Sequence, residues 1–409
     1  MDTSKRIASA LTEIPDHLLM EIFLLLPATE DLARVSAACV AFRRLTTDGS
    51  FLRRFRRLDA PPLIGFLDHY GFHPAVPPHP SAPADRALSL AADFTFSFLP
   101  SHCRWDIRDV RDGRVLLDRE PENGAEETSI FTELVVCDPL YRRYVLLPPL
   151  PDGLAAPAVH PNTFFCEPSL IPPNEDGGAA EHAAFRVIWF VRCKFELYIF
   201  VFSSSTGQWC AAASQDLKDL LLAKGESTMW ILDYVVRCHY ARDCVYWELR
   251  DSNGWNELLV LDTLRMEFSM LHHPPKGWMM RDLGIVEAGD DRLGMFSIFD
   301  ESAEQDLCYV TKGNRGLCSN KWEVENTISL DSRYRYRIGA ATGRYLLQHR
   351  VDARLYELHS LDGPDMEYFS LDVDALQLER VCGKPTWPDA STTQLYMNYP
   401  PSLLSSPTV

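Results

Sequence analysis

Apolar positions in the first sixty residues recur at helical spacing. Ile14, Leu18, Leu19, Ile22, Phe23 and Leu26 fall three or four apart, which predicts an amphipathic helix with Pro15 in its first turn and Pro27 as its stop. Thr29 is placed to cap a second helix carrying Leu32, Val35 and Ser36. A third helix carries Val40, Phe42 and Leu45, and Ser50 is placed to cap a fourth. A unit of about 45 residues is marginal as an independent fold. This one has more apolar side chains than it can bury by itself, so its surplus face predicts a partner surface.

After Leu58 the helical period fades. Pro74, Pro77, Pro78, Pro80 and Pro83 read as a linker, because each proline pushes the preceding residue to extended geometry. Beyond it a hydrophobic strand, a small turn and a second strand with an aromatic residue recur, at 134–151, 199–212, 258–275, 308–330 and 355–373. Asp138-Pro139, Ser205-Thr206-Gly207 and Asp262-Thr263 supply the reversals, and Trp209, Phe268 and Trp322 follow for cross-strand packing. An interval of roughly 50–65 residues suits four-stranded propeller blades; a β-sandwich is the alternative. One helix is expected within the strands, over 214–225, with Ser214 as cap and Gly225 as stop. The expected organisation is a helical domain at 10–58, a proline-rich linker and entry segment at 59–94, a β-domain at 95–383 and a proline-rich tail at 384–409.

The first unit resembles an F-box, the module that docks on a Skp-type adaptor of a cullin ubiquitin ligase. Ile14-Pro15-Asp16, Glu21-Ile22, Leu26-Pro27, Asp31-Leu32, Val35-Ser36, Cys39, Phe42 and Arg43 follow the order and spacing of the family's landmarks. Phe42 stands where tryptophan is usual, and Val40-Ala41 replace a commonly basic pair. The resemblance implies adaptor contacts from Ile14, Pro15, Leu18, Glu21, Ile22, Leu26, Pro27, Leu32, Val35, Ser36, Cys39 and Phe42. LVVCDPLYRRYVLLPPLP, NKWEVENTISL and FSLDVDALQLERVCG resemble the F-box-associated β-propeller-like region of plant F-box proteins, particularly those of grasses. That likeness implies a substrate-recruiting domain and does not identify the substrate.

Bulk properties narrow the choice of partner. A formal net charge of −17 opposes general nucleic-acid binding, which needs a basic surface. The 11 cysteines are odd in number and scattered without a CxxC pair, and no secretory signal or glycosylation sequon is present, so a cytoplasmic or nuclear setting is expected. The longest apolar stretch, 187–202, is broken by Arg192, Lys194 and Glu196 and suits strands rather than a membrane span.

Catalytic signatures are absent: no G-x-S-x-G, P-loop, G-x-G-x-x-G or HExxH occurs. Cys238-His239, Cys244 and His272-His273 match no closed zinc spacing. Asp290-Asp291 and Glu301 suit turns better than an acid/base pair. The run Arg53, Arg54, Arg56 and Arg57 reads as a solvated face closing the helical unit onto the linker, with contact to an acidic adaptor surface as the alternative. In RYRYR, a strand would put Arg333, Arg335 and Arg337 on one face and Tyr334 and Tyr336 on the other. Packed tyrosines explain that run, and a substrate-contacting arginine stripe is the sharper alternative.

The sequence therefore predicts a mixed, mainly β protein: a helical F-box followed by a β-propeller-like domain of about five or six blades. Its expected role is the non-catalytic substrate receptor of a Skp–cullin–F-box ligase, with no cofactor and no metal. An interaction scaffold outside ligase function is one alternative. A glycan- or small-ligand-binding propeller is another, which exposed Trp189, Trp230, Trp247 or Trp255 around one mouth would favour.

Overall fold

Alternation within one strand explains the main domain. All eight side chains of Arg186–Cys193 are buried, yet the apolar ones divide between two cores. Val187, Trp189 and Val191 enter one cluster, and Ile188 and Phe190 enter the next. A strand sandwiched between two neighbouring sheets reads as a continuous apolar run for this reason. The computed structural model describes residues 14–26, 29–46, 48, 51, 54–55, 61–100, 103–120, 130–159, 163–172, 184–223, 232–251, 256–271, 282–289, 292–301, 304–313, 322–354, 366–384 and 393–398.

Helices α1 (Asp16–Leu24), α2 (Thr29–Ala38) and α3 (Val40–Thr46) form the N-terminal unit. Leu19, Phe23, Leu24, Leu32, Leu45, Phe51 and Phe55 make its core, separate from the cores of the β-domain. Pro27 and Ser50 lie outside the described residues.

The strands then form six sheets. Blade 1 combines β1 (Leu63–Asp68) and β2 (Gly71–Pro74) with the last described strand, β23 (Gln394–Met397). Blade 2 is β3 (Trp105–Arg111), β4 (Arg114–Arg119), β5 (Leu134–Asp138) and β6 (Arg143–Leu146). Blade 3 is β7 (Thr163–Ile171), β8 (Arg186–Cys193), β9 (Glu196–Ser203) and β10 (Gln208–Asp216). Blade 4 is β11 (Leu232–Ala241), β12 (Cys244–Asp251), β13 (Asn256–Asp262) and β14 (Glu267–Leu271). Blade 5 is β15 (Leu283–Ala288), β16 (Arg292–Glu301), β17 (Glu304–Lys312) and β18 (Trp322–Ser329). Blade 6 is β19 (Tyr334–Ala341), β20 (Tyr345–Asp352), β21 (Met366–Asp372) and β22 (Gln377–Lys384). All pairings are antiparallel, and blades 2 to 6 are four-stranded meanders.

Each boundary between successive blades holds its own apolar cluster. Leu116 and Val136 meet Val187 and Trp189 between blades 2 and 3. Phe190 stacks on Trp247 between blades 3 and 4, with ring centroids 4.1 Å apart. Tyr246 and Leu258 meet Leu283 and Met295, then Phe296 and Leu307 meet Ile338 and Leu346. Phe66 and Leu395 meet Leu347 and Tyr368 between blades 6 and 1. Ile64 and Tyr396 meet Ile107 and Val115 between blades 1 and 2. The sixth boundary returns to the first, so the ring is closed and the fold is a six-blade propeller.

Closure moves two boundaries read from the prolines. The 59–94 segment contains β1 and β2, and Val76 N–H donates to Val381 O at 2.9 Å in blade 6. Pro74 is tolerated because β2 is the outer strand of its sheet, where a missing N–H removes no inner pairing. Helix α4 (Ala82–Ala91) follows and places Leu88 in the cluster between blades 1 and 2. The expected tail supplies β23, which pairs with β1 as the innermost strand of blade 1.

The reversals share one device. Asp138 Oδ1 accepts the N–H groups of Leu140 and Tyr141, and Asp262 Oδ1 those of Leu264 and Arg265. Asp372 Oδ1 likewise accepts Asp374 and Ala375. Four residues after each aspartate, Arg142, Met266 and Leu376 take positive φ; in blade 3, Ser203 precedes Gly207 by the same interval, and Gly207 is the residue suited to it. Short helix α5 (Asp152–Ala155) follows blade 2, and α6 (Leu217–Ala223) follows β10. Ser214 belongs to β10, and Asp216 bonds the Lys218 N–H at 2.8 Å, so the helix opens two residues later than its sequence suggested.

An exposed helical face and a polar propeller axis

Helix α1 is apolar on two faces. Leu19 and Phe23, four apart, point into the small core. Leu18, Ile22 and Leu25 repeat at four and three residues on another face and are 47%, 46% and 82% exposed. Val40, opening α3, is 85% exposed. Water covers these four side chains although the helices have a core available, so the chain contains a surplus apolar surface.

The twelve residues implied as adaptor contacts do not share one environment. Pro15, Leu18, Glu21, Ile22 and Cys39 are exposed, while Ile14, Leu26, Val35 and Phe42 are half-buried. Leu32 and Ser36 are 1% and 4% exposed, so they support the surface from within and present no side chain to a partner. Phe42 packs edge-on against Phe23, with centroids 5.2 Å apart. Its ring keeps the packing role expected at that position. Two arginines pair on the surface with the unit's own acids: Arg44 with Asp16 and Arg54 with Glu21, each at 2.7 Å. Glu21 thus already has a cationic partner. Leu25 and Val40 are exposed apolar residues that the motif did not include, although the 18/22/25 spacing carried the signal for Leu25.

The propeller axis has the opposite character. In blade order, Arg108, Glu167, Arg237, Asp282 and Arg337 stand on or beside the inner strands with alternating charge, and Gln394 completes the circuit in blade 1. Asp282 lies between two cations, 3.8 Å from Arg237 and 3.7 Å from Arg337. Arg108 reaches Asp118 at 2.8 Å, and Gln394 donates to Arg108 O at 3.1 Å. Asp109 accepts the Leu170 N–H at 2.7 Å, joining blade 2 to blade 3. Arg111 lies 3.8 Å over the Tyr240 ring of blade 4.

A cavity of about 450 Å³ opens among these strands, lined by Arg108, Glu167, Arg237, His239, Thr393 and Gln394 among others. Burial, reinforced by the Asp109 charge, pushes the Glu167 carboxyl up to about 7. Burial and the Arg237 charge push the His239 imidazole down to about 3, leaving it neutral. Glu167 Oε2, Arg237 Nη1, His239 Nε2 and Thr393 Oγ1 have no protein hydrogen-bond partner.

Other sequence candidates disperse. Arg333 precedes β19 in a turn and is held by Asp331, while Arg337 approaches Asp282, so the three arginines of RYRYR do not form one stripe. Tyr336 is buried and Arg350 lies 4.0 Å over Tyr334, as packing tyrosines should. Trp189 and Trp247 are inter-blade core, which removes them from a glycan platform; Trp230 and Trp255 lie outside the described residues. Cys238 and His239 are successive on β11 and face opposite ways, and His272, His273, Asp290 and Asp291 are outside the described residues. Among the described residues no helix is long and apolar enough to cross a membrane.

The family model described as F-box-like matches residues 11–58. No curated protein matches the chain. Among solved structures, the tricorn protease is 12% identical with a TM-score of 0.34, over 69% of this chain and 27% of that one. The WD40 domain of SCAP from fission yeast is 8% identical with a TM-score of 0.33, over 69% of this chain and 74% of that one. The β-propeller domain of the Trilobed protease from Pyrococcus furiosus is 10% identical with a TM-score of 0.34, over 68% and 71%. Likenesses at this level carry no functional argument, and the six blades stand on the strand pairing above. The molecule is an F-box-like domain followed by a six-blade β-propeller.

Proposed function

We propose that this chain is the substrate receptor of a Skp–cullin–F-box ubiquitin ligase. The observation that carries the reading is the exposed stripe Leu18, Ile22 and Leu25 inside the F-box-like match. A Skp-type adaptor covers that stripe together with Val40, and a cullin scaffold joins through the adaptor. Given their remaining exposure, covering these four side chains contributes about 4–8 kcal/mol. Association costs are of similar size, about 4–15 kcal/mol, so further contacts from Pro15, Cys39 and the helix ends are needed for a stable complex.

The propeller recruits a protein target, and its specificity lies on blade surfaces and connecting loops. Transfer then follows from proximity: a target lysine is held at high effective concentration beside a ubiquitin thioester carried by another subunit. No group of this chain forms a covalent bond in that scheme. The recruiting domain is the inter-blade ring from β1 to β23, and the resemblance of its strands to the F-box-associated region of plant receptors supports this reading. A reducing compartment, cytoplasm or nucleus, suits its scattered thiols.

The test is co-purification with a Skp-type adaptor. Wild-type protein is expected to retain it, and Leu18→Glu/Ile22→Glu is expected to lose it with an unchanged propeller unfolding transition. A wild-type chain that ignores the adaptor overturns the reading. Adaptor binding without accumulation of any protein on deletion of residues 1–60 leaves a scaffold instead of a ligase receptor.

A further inference from the structure

We propose that the axial cavity is a binding site for a small zwitterion of amino-acid type. Its anionic group is taken by the Arg237 guanidinium and its ammonium by the Glu167 carboxylate. The inference is independent of adaptor docking.

Three observations lead to it. The cavity, about 450 Å³, falls within the range of roughly 300–1,000 Å³ usual for small-molecule sites. Its lining carries charged side chains of both signs, Arg108, Arg237 and Glu167 among them. His239 and Thr393 are almost wholly buried, and each directs an unpartnered polar atom at this lining. An unpartnered buried polar atom costs about 1–3 kcal/mol unless water or a ligand satisfies it, so several in one cavity mark a place that holds a polar occupant.

Charge selects the ligand class. Arg237 belongs to blade 4 and Glu167 to blade 3, so opposite charges on neighbouring inner strands face one cavity. A purely anionic ligand would place a like charge beside Glu167 and Asp109. A purely cationic one would do so beside Arg237 and Arg108. A neutral polyol would satisfy hydrogen bonds but gain nothing from the Arg237 and Glu167 charges. A molecule carrying both charges answers each wall at once, and its remaining donors and acceptors reach His239 Nε2 and Thr393 Oγ1.

The experiment is thermal unfolding of the full chain with a pool of the proteinogenic L-amino acids. Sodium acetate with ammonium chloride at equal ionic strength, and myo-inositol, are the controls. The pool is expected to raise the propeller Tm by about 3 °C or more, and the controls by less than about 1 °C. Arg237→Gln is expected to abolish the shift. Because that variant loses the Asp282 contact, equilibrium dialysis of wild type and the isosteric Thr393→Val, read by mass spectrometry, gives a second measure. Near-stoichiometric retention of an amino acid by wild type, at least several-fold weaker in Thr393→Val, supports the site. No retention by wild type, retention equal in Thr393→Val, or a Tm shift matched by either control overturns it.

Discussion

The helical unit and the propeller handle burial in opposite ways. The first leaves apolar side chains in water: Leu18, Ile22, Leu25 and Val40 are exposed beside a complete small core. The second buries apolar side chains at every blade boundary and keeps polar ones along its axis. Size explains the contrast. Three short helices have too little interior for two apolar faces of α1, whereas a closed ring provides six interiors. The side chains left over therefore differ in kind: exposed apolar ones on the helices and unpartnered polar ones on the axis.

The strongest way to break this contrast is to open the ring. Terminating the chain at residue 392 removes β23, with buried Leu395 and Tyr396 and the pairing to β1. The loss exceeds about 5 kcal/mol, comparable to the whole stability of a domain. Loss of the cooperative propeller transition in calorimetry is the expected result. A truncated chain that unfolds like wild type would show that β23 does not close the domain.

Neighbouring residues on α1 sharpen the other half. Phe23→Ala removes a core ring that meets Phe42 and is expected to cost about 3–5 kcal/mol of helical-unit stability. Ile22→Ala, one residue away and half exposed, is expected to cost less than about 1 kcal/mol in the free protein, while weakening adaptor binding about tenfold. Chemical denaturation and a binding titration separate the two. Equal stability losses would mean that α1 has one buried face, not two with different duties.

These features were unevenly legible in the sequence. The α1 periodicity showed both apolar faces, and Asp138, Gly207 and Asp262 marked true reversals because their local hydrogen bonds or φ values define the turns. Closure was hidden. Its strands lie hundreds of residues apart, inside segments whose prolines suggested a linker and a tail, and no local pattern reports that Leu63 faces Met397. The axis was hidden for a related reason. Arg108, Glu167 and Arg237 are ordinary charges in sequence, and only the ring brings them to one cavity. In RYRYR the tyrosine packing was legible, whereas the turn ending at Arg333, before the strand begins at Tyr334, was not.

Within the axis, Glu167→Gln tests whether burial governs the carboxyl. The unfolded group titrates near 4.5 and the folded one near 7. Between those values the folded chain holds the additional proton, so the wild type loses stability as pH rises through the window. The glutamine variant does not titrate. It is expected to match wild type near pH 4 and to exceed it by about 3 kcal/mol above pH 7, in denaturant titrations at both ends. A constant difference across this range would place the carboxylate in a solvated setting.

The smallest expected effect compares the axis with the inter-blade core directly. Thr393 is buried with its hydroxyl unpartnered, and valine keeps its shape while deleting that hydroxyl. Without ligand, Thr393→Val is expected to leave stability unchanged or raise it by up to about 1 kcal/mol, because no hydrogen bond is lost. Val381, fully buried between blades 6 and 1, is the reverse case: Val381→Thr introduces a hydroxyl among Leu63, Tyr368 and Leu395 and is expected to cost about 1–3 kcal/mol. If both exchanges destabilise alike in urea titrations, the Thr393 hydroxyl already contributes to the fold and the axis is no different from the core. Opposite signs would show that its polarity is retained for something other than stability.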